Sequence, residues 1–130
     1  TAAQVEIIKR ELGWQEQMVE GVPGPTYEKI ECFMQGSRDF AKYVKRGFGR
    51  TNHLANIAIR HGRMTREDGD RLQREHDGKR PHSLTKFLEF LEMTEDEYME
   101  ILRTHEVDPW TSAGVDFETG AALEDIERWK

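Results

Sequence analysis

Apolar residues recur at three- and four-residue spacing along most of this chain, and no segment sustains the alternation of a strand. Val5, Ile8 and Leu12 form a first stripe, and Gly13 follows as a stop, since glycine tolerates the left-handed turn that closes a helix. Val22-Pro23-Gly24-Pro25 is a breaker cluster and predicts a loop. The clearest stripe is Ile30, Phe33, Met34, Ser37, Phe40, Ala41 and Val44, about four turns of helix stopped by Gly47 and Gly49. Gly36 lies inside it, at a cost of roughly 1 kcal/mol relative to alanine, and is expected to permit a close contact.

Leu54, Ile57 and Ala58 predict a helix from about Asn52 to His61, ended by Gly62. Thr65, with Asp68 three residues on, reads as an N-cap. The helix it starts carries only Leu72 as a large apolar residue and is expected at the surface. Asp77-Gly78-Lys79-Arg80-Pro81 reads as a turn. Leu84, Phe87, Leu88 and Leu91 form another stripe. Thr94 with Glu97 is a capping-box pattern, followed by Tyr98, Ile101 and Leu102 as the buried face, with Asp108-Pro109 as the stop. Thr111 to Thr119 is irregular, and Ala121 to Trp129 predicts a short terminal helix. The expected fold is all-α: a single helical domain over 1–130, an irregular bundle of five to seven short helices, with 111–130 as a weakly structured tail or terminal helix.

Composition adds bounds. The 130 residues hold 36% hydrophobic and 34% charged side chains, so the surface is well solvated and the core modest. Six Phe, three Trp and three Tyr argue against wholesale disorder. The lone Cys32 excludes an internal disulfide, and its place on the apolar stripe reads as a small buried hydrophobe. No run reaches the ~20 apolar residues of a membrane span and no signal peptide is visible, so a cytoplasmic location is expected. The chain opens at Thr1 on a helical pattern, which reads as a fragment of a longer protein.

The charge is unevenly spread. Arg38 to Arg63 carries seven Lys/Arg and one acid, a net of +6, in a chain of net charge −6. Within it, Lys45, Arg46 and Arg50 surround a glycine turn, with His53, Arg60 and Arg63 further along the next helix. Guanidinium forks match phosphate oxygens, and free amides at the start of a Thr51–His61 helix would add to an anion site. The alternative is a solvated basic face that pairs with the acidic C-terminal half. Little else suggests chemistry. His53 and His61 lie eight residues apart, about 12 Å along a helix, too far to share an ion. There is no HExxH, CxxC, GxSxG, P-loop or GxGxxG pattern. Runs such as Glu95-Asp96-Glu97 read as solvated helix N-termini.

An ordered set of motifs adds to this reading. Phe48-Gly49-Arg50, His53-Leu54-Ala55, Ile59-Arg60 and Gly62-Arg63-Met64-Thr65-Arg66-Glu67 are preceded by Glu11-Leu12-Gly13-Trp14 and by Glu31, Phe33 and Gln35. They are followed by Asp77-Gly78-Lys79, Phe87-Leu88, Thr94-Glu95-Asp96-Glu97-Tyr98 and Asp108-Pro109-Trp110. In this order, over roughly residues 5 to 110, the chain resembles the C-terminal part of the N-acetyl sugar amidotransferases of surface-polysaccharide biosynthesis. The resemblance implies a relation to PP-loop ATP pyrophosphatases. Such enzymes adenylate the acetamido oxygen of a sugar, and ammonia from a partner glutaminase displaces AMP to leave an acetamidino group.

The resemblance also implies what this piece lacks. The SGGxDS phosphate loop and the CxxC pairs of such proteins belong to an upstream α/β domain, and neither occurs here. ATP is therefore expected to bind mainly to that N-terminal PP-loop domain, with no cofactor held by this piece alone and no catalytic residue within it. The expected contribution of Lys45, Arg46, Arg50, His53, Arg60 and Arg63 is contact with a phosphate or an anionic sugar substrate. The rival expectation is a small helical interaction module for a protein or nucleic-acid partner. Nucleic acid ranks lower, because only Tyr43 and Phe48 interleave aromatic rings with the basic stretch.

Overall fold

The computed structural model describes residues 2–24 and 32–120. Six helices follow one another among them: α1 (Ala2–Leu12), α2 (Gln35–Arg46), α3 (Arg50–Arg60), α4 (Arg66–His76), α5 (Ser83–Leu91) and α6 (Glu95–Arg103). The described residues hold no sheet; a parallel bridge joins Arg80 to Thr119. The fold is thus an all-α irregular bundle, as the periodicity predicts. The predicted terminal helix at Ala121–Trp129 and the start of the stripe at Ile30 lie outside the described residues.

The helix ends follow local chemistry. Gly13 (φ 64°), Gly47 (φ 76°) and Gly62 (φ 67°) take the left-handed conformation after α1, α2 and α3, where a side chain would be strained. The Thr65 hydroxyl accepts the Asp68 N–H at 3.1 Å and starts α4. A full capping box starts α6: Thr94 Oγ1 accepts from Glu97 N (3.3 Å), and the Glu97 carboxylate accepts from Thr94 N (2.8 Å). The Thr94 N–H, and the Thr94 hydroxyl that also donates to this carboxylate (2.7 Å), hold the Glu97 carboxyl below its ordinary 4.5. The fold therefore gains from Glu97 ionisation above the unfolded pKa, and loses that gain as pH falls through the lower folded value. Glu97→Gln is expected to flatten the dependence of stability on pH below about 4.5. Urea midpoints measured at pH 3, 4 and 6 check this, and an unchanged slope would remove Glu97 from the acid transition.

One core joins α2, α5 and α6. Phe40 and Val44 meet Leu84 and Leu88, with Tyr98, Met99 and Leu102 closing the cluster. The buried hydroxyls of Ser37 and Ser83 bond at 2.9 Å and tie α2 to α5. Two local expectations are corrected here. Ile101 is 48% exposed and Met99 takes its place inside, because α6 turns its 98–99–102 edge to α2. Cys32 is exposed rather than buried, because α2 begins only at Gln35 and leaves Cys32 in the turn before it. The helix α6 also stops at Arg103, ahead of the proline, through three tight turns from Thr104 to Glu106.

The second layer is α3 on α4, the most extensive helix pairing among the described residues. Gly69 is buried there, and a Cβ on it would stand 2.8 Å from Ile59 Cδ1 and 3.4 Å from Ala55 Cβ. That close approach lets α4 sit on α3 although Leu72 is its single large apolar residue.

The stretch 107–120 is irregular, as expected for its Thr111–Thr119 part, and it is anchored at several points. Val107 N donates to Lys45 O (2.9 Å), and Trp110 Nε1 donates to Val44 O (2.8 Å). Arg80 N donates to Glu118 O (2.8 Å), and Gly120 N donates to Arg80 O (2.9 Å). Phe117 lays an edge-to-face contact on Phe40, with ring centroids 5.2 Å apart.

Candidate functional site at the corner between α2 and α3

The basic, glycine-punctuated stretch forms the corner between α2 and α3. Gly47 ends α2, Phe48 bridges, and Gly49 is the N-cap residue of α3 in extended conformation. The indole of Trp110 lies against Gly47, so a Cβ there would stand 2.7 Å from the ring. Gly47 thus meets two demands at once, a positive φ and a ring pressed on the backbone.

The N-terminus of α3 does hold an anion, and the anion is internal. Asp77, at the end of α4, inserts its carboxylate under the first turn of α3. Oδ2 accepts from Gly49 N (2.9 Å) and Asn52 N (3.1 Å), and Oδ1 accepts from Thr51 N (3.0 Å). The amides expected to face a bound phosphate are therefore already satisfied. The carboxylate sits where a phosphate would, for the same reason: unpaired N–H groups and the positive end of the helix dipole favour negative charge. Burial pushes the Asp77 carboxyl above its ordinary value, against the pull of the three N–H donors and of the nearby Lys42. Gly49 is required by this contact, since a Cβ there would stand 2.5 Å from Asp77 Oδ1. Neighbouring bonds complete the joint. Thr51 Oγ1 donates to Gly21 O (2.7 Å), and Asn52 Nδ2 donates to Gln73 Oε1 (2.8 Å).

Arg50 is also engaged. Its guanidinium grips Asp39 of α2 through Nε (2.7 Å) and Nη2 (3.3 Å), with side chains only 11% and 17% exposed. Gln35 Nε2 donates to the same carboxylate, at 3.2 Å from each oxygen. The ion pair joins α2 to α3 across the corner.

The remaining basic residues fall into two groups. Lys45 and Arg46 form the last turn of α2. With Arg38 and Lys42 they stand at i, i+4, i+7 and i+8, a single side of that helix away from Phe40 and Val44. The Lys42 ammonium lies 4.5 Å from the centroid of the Phe48 ring. His53 is exposed on α3. Arg60 and Arg63 are exposed at the far end of α3, about 15 Å along the axis from Arg50. Arg63 borders an apolar cavity of about 420 Å³ lined by Val22, Leu54, Ala55, Ile57, Met64 and Leu72. The six basic residues named from sequence thus do not surround one point. Lys45 and Arg46 share a face, Arg50 is spent on Asp39, and Arg60 and Arg63 lie at the other end of α3.

Sequence reasoning missed Asp39 and Asp77, the two acids that organise this corner. Nothing local signalled Asp77: Thr51 and Asn52 are ordinary capping residues at the start of the predicted helix, and the true acceptor lies 25 to 28 positions away. Among the described residues, no three His, Cys, Asp or Glu side chains gather where a metal ion would sit. No helix among them is long and apolar enough to cross a membrane.

Fold and site together define an all-α module in which the charged groups at the main corner serve first to hold helices together. A family model for the C-terminal domain of WbpG-like LPS biosynthesis proteins matches residues 26–123, well over half of the chain. The chain belongs to this family of LPS biosynthesis domains. No curated protein and no solved structure matches it.

Proposed function

We propose that this chain is the C-terminal helical domain of an ATP-dependent amidotransferase that converts an N-acetyl sugar to its acetamidino form in LPS or surface-polysaccharide biosynthesis. The observation that carries the reading is the family match over residues 26–123, to a C-terminal domain of LPS biosynthesis. In this reading a preceding PP-loop domain binds ATP and adenylates the acetamido oxygen. A glutaminase subunit supplies the ammonia, and the reaction takes place in the cytoplasm. The helical domain contributes a rigid, positively charged surface.

The basic side of α2 is the best-placed surface for that contribution. Lys45 and Arg46 lie on this side beside Lys42, whereas Arg50 is committed to Asp39. A phosphate or an anionic sugar meeting this face gains charge-assisted hydrogen bonds in the order of 1.5–3 kcal/mol each. In the longer enzyme, the Lys45→Ala/Arg46→Ala double variant is expected to raise KM for ATP or the sugar by about tenfold with kcat little changed, the mark of lost uniform binding. Steady-state kinetics against both substrates check this, and unchanged values would remove α2 from the site. ATP hydrolysis by the 130-residue chain alone would overturn the division of labour.

A further inference from the structure

We infer that the exposed apolar face of α1 is the seat of the part of the protein that precedes this domain in the longer enzyme, so that α1 is the joint between the two. The inference rests on the reading of this chain as the C-terminal part of a larger protein.

Four observations converge on it. The family match begins at residue 26, so α1 precedes the matched region on its N-terminal side. Val5, Ile8 and Leu12 share one face of α1, yet Ile8 is 41% and Leu12 77% exposed. Trp14 and Met18, in the segment that follows, are exposed as well. Among the described residues no helix packs closely on α1, in contrast with α3 on α4 and α2 on α5 and α6.

The physical argument is that an 11-residue helix does not stand alone in water. Helices shorter than about 12–15 residues are marginal by propensity, and proteins stabilise them by packing an apolar face. The face exists here, and this domain leaves its Ile8 and Leu12 exposed. What fixes α1 locally is polar: Lys9 pairs with Glu16 at 3.1 Å, and Gly13 N donates to Lys9 O at 3.1 Å. A few residues on, the chain is firmly attached, with Val19, Glu20 and Val22 buried. The helix is thus held close to the domain with Ile8 and Leu12 exposed.

A second copy of the chain is the weaker occupant. One face of such a helix is about 16 Å long and 10 Å wide, a fraction of the roughly 800 Å² per partner in a stable complex. A tethered neighbour needs far less area, because its effective concentration reaches the millimolar range.

Hydrogen exchange on two proteins tests this: the 130-residue chain, and the longer product that includes the preceding part. Amides of residues 6–12 are expected to exchange close to unprotected rates in the former and about 100-fold more slowly in the latter. The Ile8→Lys/Leu12→Lys variant is expected to abolish that protection and leave the exchange of α2, α5 and α6 as it was. Equal exchange of α1 in both proteins would overturn the inference. So would a dimer of the 130-residue chain, seen by light scattering, that the same variant dissolves. ATP-dependent amidation is assayed separately. Its absence with α1 protected would sink the proposed function alone, and its presence with α1 unprotected would sink the joint alone.

Discussion

Asp77→Ala is expected to destabilise the domain by about 3 kcal/mol. The carboxylate accepts three backbone N–H groups at the start of α3, and two of them belong to the buried residues Gly49 and Thr51. Each buried donor left unpaired costs about 1–3 kcal/mol, and loss of a cap alone costs about 1. Water can reach the half-exposed Asn52 and relieves part of the total. Against a typical stability of 5–15 kcal/mol this is a large fraction. In urea unfolding the midpoint is expected to fall by about 1.5 M with the slope unchanged. A loss below about 0.5 kcal/mol would mean that Asp77 does not hold the helix. Gly49→Ala attacks the same contact from the other side, since its Cβ would meet Asp77 Oδ1 at 2.5 Å. The two variants are therefore expected to be strongly non-additive in a double-mutant cycle.

Glu20→Ala is the second large effect, about 2 kcal/mol. Glu20 is 7% exposed and reaches from the 13–24 segment to the start of α5. Its Oε1 accepts from His82 N (2.7 Å) and its Oε2 from Ser83 N (3.1 Å). No side chain at the α5 N-cap supplies an acceptor, so the alanine leaves both donors bare. It also opens space beside Gly36, where a Cβ would stand 2.7 Å from Glu20 Oε2 and 3.1 Å from Pro81 Cβ. Thermal unfolding is expected to drop by about 8 °C, at roughly 4 °C per kcal/mol for a chain of this size. A shift of less than 2 °C would show that the loop and α5 hold without it. Glu20→Gln separates charge from shape: it keeps the packing, but turns an NH₂ group toward one of the two N–H donors.

Both acids solve one problem. An α-helix leaves its first four N–H groups without partners, and most helices meet this with a local side chain. Here α4 and α6 do so with Thr65 and Thr94, and both were legible in the sequence. The helices α3 and α5 do so with carboxylates 25 to 63 positions away. A local pattern carries no trace of such a partner. The glycine that makes room for it is visible, yet glycine before a helix has several ordinary explanations. This is why the Gly47–Gly49 corner reads in sequence as a phosphate cradle and folds as an internal one. The expectation of negative charge at that helix start was sound physics, and the chain supplies the charge itself.

The basic residues show the same limit. Lys45 and Arg46 follow from helix spacing, which places them with Arg38 and Lys42 on one side. The pairing of Arg50 with Asp39 depends on how α2 and α3 fold back at the corner, and no spacing rule reports it.

The sequence by itself determined the all-α class, the order of the helices and most of their ends. These depend on periodicity, glycine and capping residues, all of which act within a turn or two. Only the tertiary structure decided that Met99 goes inside and Ile101 out, that Asp77 and Glu20 cap helices far from them in sequence, and that Ile8 and Leu12 of α1 stay exposed. Those outcomes rest on contacts between segments distant along the chain, and the energy of a distant contact is not written in the neighbours of either residue.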